Sequence, residues 1–279
     1  MKRIFIMLTL FVFSLGVFST SRALLFGLGS QEDAAWAKVN GDRDVALMKT
    51  MLTKCGFRDI RVLTNASATK EKMVQAFLKL EKSCRTGDII YIHYSGHGQY
   101  MTDVNGDESL RWTGRHAQWD ESWVPYDAQM IYGAKDHGEK HFCDDEVAEY
   151  LQKIRRKIGK NGRLYVVVDA CHSGDATCGE MDEPVRGVDR EFIIPRTANG
   201  SQPESSVVKE EWLTVSACKP YQLCFEQKNP VAGKLTYAIY TLGAKFFKLS
   251  NSQLQKALDD YIQAHPGRFA QNPVVSGHF

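Results

Sequence analysis

The chain has no apolar run long enough to span a bilayer, no excess of charge of one sign, no internal repeat and no Cys-x-x-Cys pair. Each absence removes a class of function. Thirty-five basic side chains stand against thirty-three acidic ones, and loss of Lys2 and Arg3 with a leader would level them. A near-neutral chain is no nucleic-acid binder on bulk charge. Without Cys-x-x-Cys, a dithiol redox protein falls to the bottom of the order. No cysteine precedes Cys55, which removes the usual attachment point of a bacterial lipoprotein. Glycine and proline, at 22 and 8 of 279 residues, are in ordinary use, so low complexity and collagen-like repeats are excluded. What is there suits a folded globule: 43% hydrophobic and 24% charged residues can close a sizeable core and argue against disorder.

Lys2 and Arg3 precede an apolar stretch from Ile4 to Phe18, broken by Thr9, Ser14 and Gly16 and followed by Ser19, Thr20 and Ser21. Its length falls short of the roughly twenty residues that cross a bilayer, and the pattern is that of a secretory leader. We therefore expect a signal peptide over residues 1–22, cut after Ser19, Ser21 or Ala23. The product would be a secreted or periplasmic domain over 23–279, with no stable membrane insertion once the leader is gone. Seven cysteines in an oxidising compartment are an odd number, so at least one stays free. Cys55 with Cys84 and Cys218 with Cys224 are candidate disulfides; the alternative is that most are small buried thiols that never pair.

Apolar runs of strand length alternate with stretches of helical period, an α/β pattern with a mostly parallel sheet. Strands are expected at Ala23 to Leu28, Asp59 to Thr64, Asp88 to Tyr94, Arg163 to Asp169, Trp212 to Ser216 and around Val274. The third and fourth are continuously apolar, so both faces should be buried. Helices are expected before Gly56, after Ser67 or Thr69, from Asp144 to Ile158, from Leu235 to Phe247 and from Ser252 to Ala264. Two stretches, about 100–127 and 175–210, fit no element and are expected to be long loops.

Both of the best strands run into unusual loops. Tyr94-Ser95-Gly96-His97-Gly98 follows one, and Asp169-Ala170-Cys171-His172-Ser173-Gly174 follows the other. In a parallel sheet both loops leave at the carboxyl edge, so His97 and Cys171 can be neighbours although 74 residues apart. A thiol attacks only as thiolate and needs an imidazole or a helix N-terminus beside it. Taken singly, each residue has a plainer role: a turn histidine, a buried thiol. A zinc site from His93, His97, Cys171 and His172 is disfavoured, because a strand and its loop give His93 and His97 no shared face.

The two boxes resemble the histidine and cysteine boxes of the caspase-like cysteine peptidases, in the metacaspase and orthocaspase branch. The resemblance extends to Ala23-Leu24-Leu25-Phe26-Gly27-Leu28-Gly29, Asn40 to Phe57, Asp120-Glu121, Asp144-Asp145-Glu146, Ser216-Ala217-Cys218 and Gln271-Asn272-Pro273. It implies a three-layer α/β/α sandwich of about six strands. It makes Cys171 the nucleophile, His97 the general base and later acid, and the amides of Gly98 and Cys171 the oxyanion hole, with no third triad member. It places Asp44, Ser95 and Asp169 in the pocket for the substrate side chain, where carboxylates select Arg or Lys at P1. On their own, Asp44 reads equally as a helix-start residue and Asp169 as a loop-fixing acceptor.

In calcium-dependent relatives four aspartates bind the ion. Asp120, Asp144 and Asp145 match three, the fourth place holds Cys178, and two of the three also suit a helix start. No cofactor is required by this reading, and Ca²⁺ activation is its optional addition. The stretch from Arg111 to Trp119 is an apparent insertion. Arg186, Arg190, Arg196 and Lys209 lie in the second long loop, where a peptidase selective for basic residues could cut itself; a solvated surface role is the alternative for each. The expected partners are peptide or protein substrates with a basic P1 residue, acted on by a monomer. A catalytically silent binding module of the same fold and a legumain- or clostripain-type peptidase are the rival readings.

Overall fold

The computed structural model describes residues 19–279 apart from residues 107, 109–118, 173–183, 189, 196–210, 221 and 268. The first eighteen residues, Cys178, Arg196, Lys209 and most of the expected insertion lie outside the described residues. From the amino end come β1 (Ser21–Gly27), α1 (Gly41–Lys54), β2 (Asp59–Thr64), α2 (Lys70–Ser83) and β3 (Ile89–Ser95). Next are β4 (Gly98–Thr102), β5 (Trp119–Trp123), β6 (Phe142–Cys143), α3 (Asp144–Ile158), β7 (Arg163–Asp169) and β8 (Leu213–Ser216). The chain ends with β9 (Glu226–Lys228), β10 (Val231–Gly233), α4 (Lys234–Leu242), α5 (Asn251–Ala264) and β11 (Val274–Gly277).

Six strands form one sheet in the order β11-β8-β7-β3-β1-β2, parallel except for β11 against β8. Period-two alternation divides their side chains. Leu24, Phe26, Ile90, Ile92, Tyr94, Leu164 and Val166 pack with α2 and α3, while Ala23, Leu25, Tyr91, Tyr165 and Val167 pack with α1, α4 and α5. Each large apolar side chain buried this way contributes roughly 1.5–3 kcal/mol. The expected three-layer sandwich is therefore the fold. No helix among the described residues is long and apolar enough to cross a membrane.

Four expectations need correction. The stretch 100–127 is not a plain loop, because Gly98–Thr102 pairs with Trp119–Trp123, and β5 with β6, in a separate three-stranded sheet. Its alternating apolar residues are sparse among Gly and Asp, which hides the pattern. The helix expected to reach Phe247 stops at Leu242, where Gly243 turns the backbone to φ +53°. The first strand begins earlier than Ala23: Ser21 and Arg22 are already strand, Thr20 N donates to Asp88 Oδ1 at 2.8 Å, and Arg22 bridges Asp59 and Asp88. A cut after Ser19 leaves β1 whole, whereas one after Ser21 or Ala23 shortens it. Finally, all six described cysteines are free. Cys55 packs with the α1 layer and Cys84 with the α2 layer, so the sheet separates them.

Candidate active site

Parallel register sets the geometry. Ser95 pairs with both Gly27 and Asp169, so β1, β3 and β7 end level at the carboxyl edge. The order of strands reverses at β1, between β2 and β3, which is where α/β sheets open a crevice. His97 and Cys171 each lie two residues past that level pair. Gly96 N donates to Asp169 O at 3.4 Å, joining the two loops. Tyr94 Oη donates to His97 O at 2.6 Å and accepts from Val124 N at 2.9 Å, which ties the histidine loop to the core.

His97 is buried and its ring packs against Trp36, with centroids 5.3 Å apart. Nε2 lies 2.7 Å from Ala37 O. A carbonyl only accepts, so the proton is assigned to Nε2, and the lone pair falls on Nδ1, which has no hydrogen-bond partner among the described residues. Burial pushes the imidazole below its usual pKa, against the pull of the Ala37 bond and of Cys171. The result is a neutral imidazole with a free basic nitrogen. Burial would push the Cys171 thiol up, but hydrogen bonds from the Cys218 and Cys224 side chains and the Cys224 backbone pull it well below the usual thiol range. Cys218 and Cys224 are held high in return. They neighbour each other as expected, yet as reduced thiols gathered on Cys171.

Arg186, expected in the second long loop as one of four possible self-cleavage residues, fills the space between these groups. Its side chain is fully buried. Nη2 lies 2.7 Å from Asp44 Oδ2 and 2.7 Å from Glu226 Oε1, Nη1 lies 2.6 Å from Ser95 Oγ and 3.5 Å from Asp169 Oδ1, and Nε lies 3.1 Å from Glu226 Oε1. Burial alone would lower the guanidinium pKa, but Asp44, Asp169 and Glu226 hold it above its ordinary value. Asp44 is pushed up to about 6, by burial first, against the pull of Arg186 and with Asp169 adding to the rise. The main chain of the same residue is as closely held. Arg186 O accepts from Cys171 N at 3.0 Å and from Gly98 N at 3.3 Å. Arg186 N donates to Cys224 O, and Glu226 N donates to Pro184 O, both at 3.2 Å, while Val185 pairs antiparallel with Phe225 and Gly187 lies beside Gly98. Residues 184–187 thus run extended through the crevice like a bound peptide.

Several pocket residues were invisible in the sequence pattern. Glu226 is the largest omission; Asn40 N and Nδ2 donate to its two oxygens. Thr236 N and Oγ1 donate to Asp169 Oδ2 at 2.8 and 2.6 Å from the first turn of α4. Gly233 N donates to Asp44 Oδ1 at 3.0 Å, and a Cβ on Gly233 would lie 2.2 Å from Asp169 Oδ2, so only glycine lets this backbone close over the pocket. Gly41 acts likewise: a Cβ there would meet Ser95 O at 2.2 Å, and its absence lets α1 abut β3 and present Asp44.

A cavity of about 630 Å³ leads from Cys171 and His172 past Glu121 to Asp144. Burial first, then Glu121, Asp120, Asp145 and Glu108, push the Asp144 carboxyl well above its usual pKa, and its Oδ1 is buried without a hydrogen-bond partner among the described residues. These oxygen donors have the chemistry Ca²⁺ takes. However, among the described residues no three His, Cys, Asp or Glu side chains converge to hold a metal. No step below runs through the ion. A carboxyl whose pKa rises on folding contributes stability below its unfolded value of about 3.9 and loses it as pH rises through the folded value. Asp144→Asn should therefore raise the melting temperature at pH 8 by about 2–4 °C, for roughly 1 kcal/mol, and change it little at pH 4. Calorimetry at the two pH values checks this; an equal shift at both would contradict it.

Comparisons with known proteins identify the family and the fold. The family model for the metacaspase, peptidase C14 domain matches residues 21–178. Metacaspase-1B of Neurospora crassa is 27% identical over 163 residues, covering 56% of this chain and 34% of the relative. Metacaspase-1 of Mycosarcoma maydis is 22% identical over 279 residues, covering 84% and 64%. The chain spans about a third of the length of the first curated relatives it matches. Among solved structures, a Geobacter sulfurreducens protein superposes with TM-score 0.62 at 22% identity, over 92% of this chain and 94% of that one. Caspase-1 of Spodoptera frugiperda superposes with TM-score 0.58 at 11% identity, over 93% and 86%, which shows a shared fold. With more than half of its length matched by one family model, and both boxes at the edge of that fold, the chain belongs to the metacaspase, peptidase C14 domain family.

Proposed function

We propose that the chain is a cysteine endopeptidase that hydrolyses peptide bonds after a basic P1 residue, with Cys171 as nucleophile and His97 as base and then acid. The pose of Arg186 supports this most: a basic side chain lies among carboxylates while its carbonyl oxygen lies on the Gly98 and Cys171 amides. Those are the contacts a P1 residue needs at the moment of attack. In the reaction, His97 Nδ1 takes the thiol proton as sulfur adds to the carbonyl carbon, and the two amides hold the oxyanion. Loss of one such donor costs about 3–4 kcal/mol of transition-state stabilisation. His97 then protonates the leaving amine, a thioester remains on Cys171, and water activated by the same imidazole hydrolyses it. Ala37 O serves in place of a third catalytic side chain by fixing the imidazole's tautomer.

On this reading the Arg186–Gly187 bond is the enzyme's first substrate, and the pocket opens once it is cut. That one chain carries thiol, imidazole, amides and pocket supports action as a monomer. The leader-like first residues support export to the periplasm or medium, with Thr20 as the expected first residue of the exported product. A catalytically silent module is the second reading, favoured by the same plugged pocket, and it differs in predicting no turnover. Purified protein incubated with peptidyl-Arg and peptidyl-Asp reporters beside a Cys171→Ala control decides between them. We expect Arg-reporter cleavage that falls by at least about 10⁴-fold in the control. Cleavage of the Asp reporter, or equal rates in the control, would overturn the assignment.

A further inference from the structure

Three carboxylates surround one guanidinium, and among them Glu226 alone also reads Nε. Asp44 and Asp169 lie at the terminal nitrogens, where a lysine ammonium can also reach. Glu226 Oε1 additionally accepts from Nε, at 3.1 Å, together with Nη2 at 2.7 Å. This is a two-point contact along the side of the guanidinium plane, and a lysine side chain has only a methylene at the Nε position. Glu226 cannot swing to follow a single ammonium, because Asn40 N and Asn40 Nδ2 hold its two oxygens from behind. Burial makes the mismatch expensive: Arg186 and Glu226 are both almost fully enclosed, so an acceptor left facing a methylene finds no water to replace the lost donor.

We propose that Glu226 is the residue that makes this pocket select arginine over lysine at P1. The proposal rests on the peptidase reading and narrows its basic P1 class to one side chain. Asp44 and Asp169 supply the charge attraction common to both bases, and Glu226 supplies the discrimination. Sites built around a specific hydrogen bond reject analogues that lack the donor far more strongly than sites that sense only size or charge.

Two measurements test it. In the first, reporters carrying the chain's own Pro-Val ahead of Arg or Lys are compared by kcat/KM in wild-type protein and in Glu226→Gln. The wild type should prefer Arg by about 100-fold or more, and Glu226→Gln should cut that ratio by about tenfold or more. In the second, Arg186→Lys and Glu226→Gln are combined as a double-mutant cycle in the Cys171→Ala chain, read by melting temperature at pH 7.5. Arg186→Lys should lower the melting temperature clearly with Glu226 present and much less in the Glu226→Gln background. Comparable wild-type rates on Arg and Lys, or equal loss of both in Glu226→Gln with an additive cycle, would overturn the proposal. Absence of Cys171-dependent turnover of either reporter would fail the peptidase reading, while the cycle, which needs no turnover, would still decide the role of Glu226.

Discussion

Replacing Arg186 by methionine in a Cys171→Ala chain is expected to lower the melting temperature by about 10 °C at pH 8 and by much less at pH 5. The Cys171→Ala background keeps every sample uncut. Methionine fills much of the arginine's volume, so the loss reports charge rather than a cavity. Removing one member of a buried ionic cluster costs about 3–5 kcal/mol because the partners stay buried without compensation, and a domain of this size shifts by about 2–4 °C per kcal/mol. The pH dependence follows from Asp44, pushed up to about 6 even with Arg186 pulling it down. Without that pull its pKa rises further. A carboxyl raised on folding stabilises the fold at pH values below its unfolded pKa and loses that contribution as pH rises through the folded one. The defect should therefore grow from pH 5 to pH 8 in circular-dichroism melts. A loss that does not vary with pH would assign it to packing, and no loss at all would place Arg186 outside the pocket.

The second large effect is on catalysis. His97→Ala should lower kcat/KM on a peptidyl-Arg reporter by about 10⁴-fold or more, close to the loss in Cys171→Ala, because residues of one catalytic unit fail together. The thiol cluster makes this a discriminating result. Cys218 and Cys224 lower the Cys171 pKa by hydrogen bonding, which eases loss of its proton, in the wild type to His97 Nδ1. Protonation of the leaving amine cannot be supplied by those thiols, and it is here that His97 Nδ1 is required. Alkylation of Cys171 by iodoacetamide should consequently persist in His97→Ala while peptide turnover disappears. A loss of turnover below about tenfold would show that the imidazole is not the acid that protonates the amine.

Much of the scaffold was legible because both-face-buried strands are continuously apolar. Leu164-Tyr165-Val166-Val167-Val168 and Ile89-Ile90-Tyr91-Ile92 stand out for that reason, and register then carries their loops to one edge. His97, Gly98 and Cys171 were legible as loop residues closing those strands, and their approach follows from parallel pairing. Asp44 was different: an acidic residue in the first turn of a helix is common, and only the family resemblance gave it a second meaning. Glu226, Thr236 and Ala37 were not legible. Glu226 sits in a three-residue strand with no periodicity of its own, and it meets Arg186 through a fold-back of 40 residues. Arg186 was legible only as one of four basic residues where the chain could cut itself; its burial was not, since a stretch of Gly, Pro, Ser and charge ordinarily means a solvated loop. Three carboxylates around one cavity reverse that preference, and their convergence exists only in three dimensions. The Cys55–Cys84 pairing failed for a similar reason, because spacing along the chain carries no information on which sheet face a thiol joins.

The most direct test is intact-mass mapping of freshly produced wild-type protein beside the Cys171→Ala chain. A thiol and an imidazole acting on a peptide already seated in the carboxylate pocket predict two associated fragments that meet between Arg186 and Gly187, and an uncut control. A wild-type chain that stays whole while it turns over an arginyl reporter, or a cut that persists in Cys171→Ala, would contradict that account.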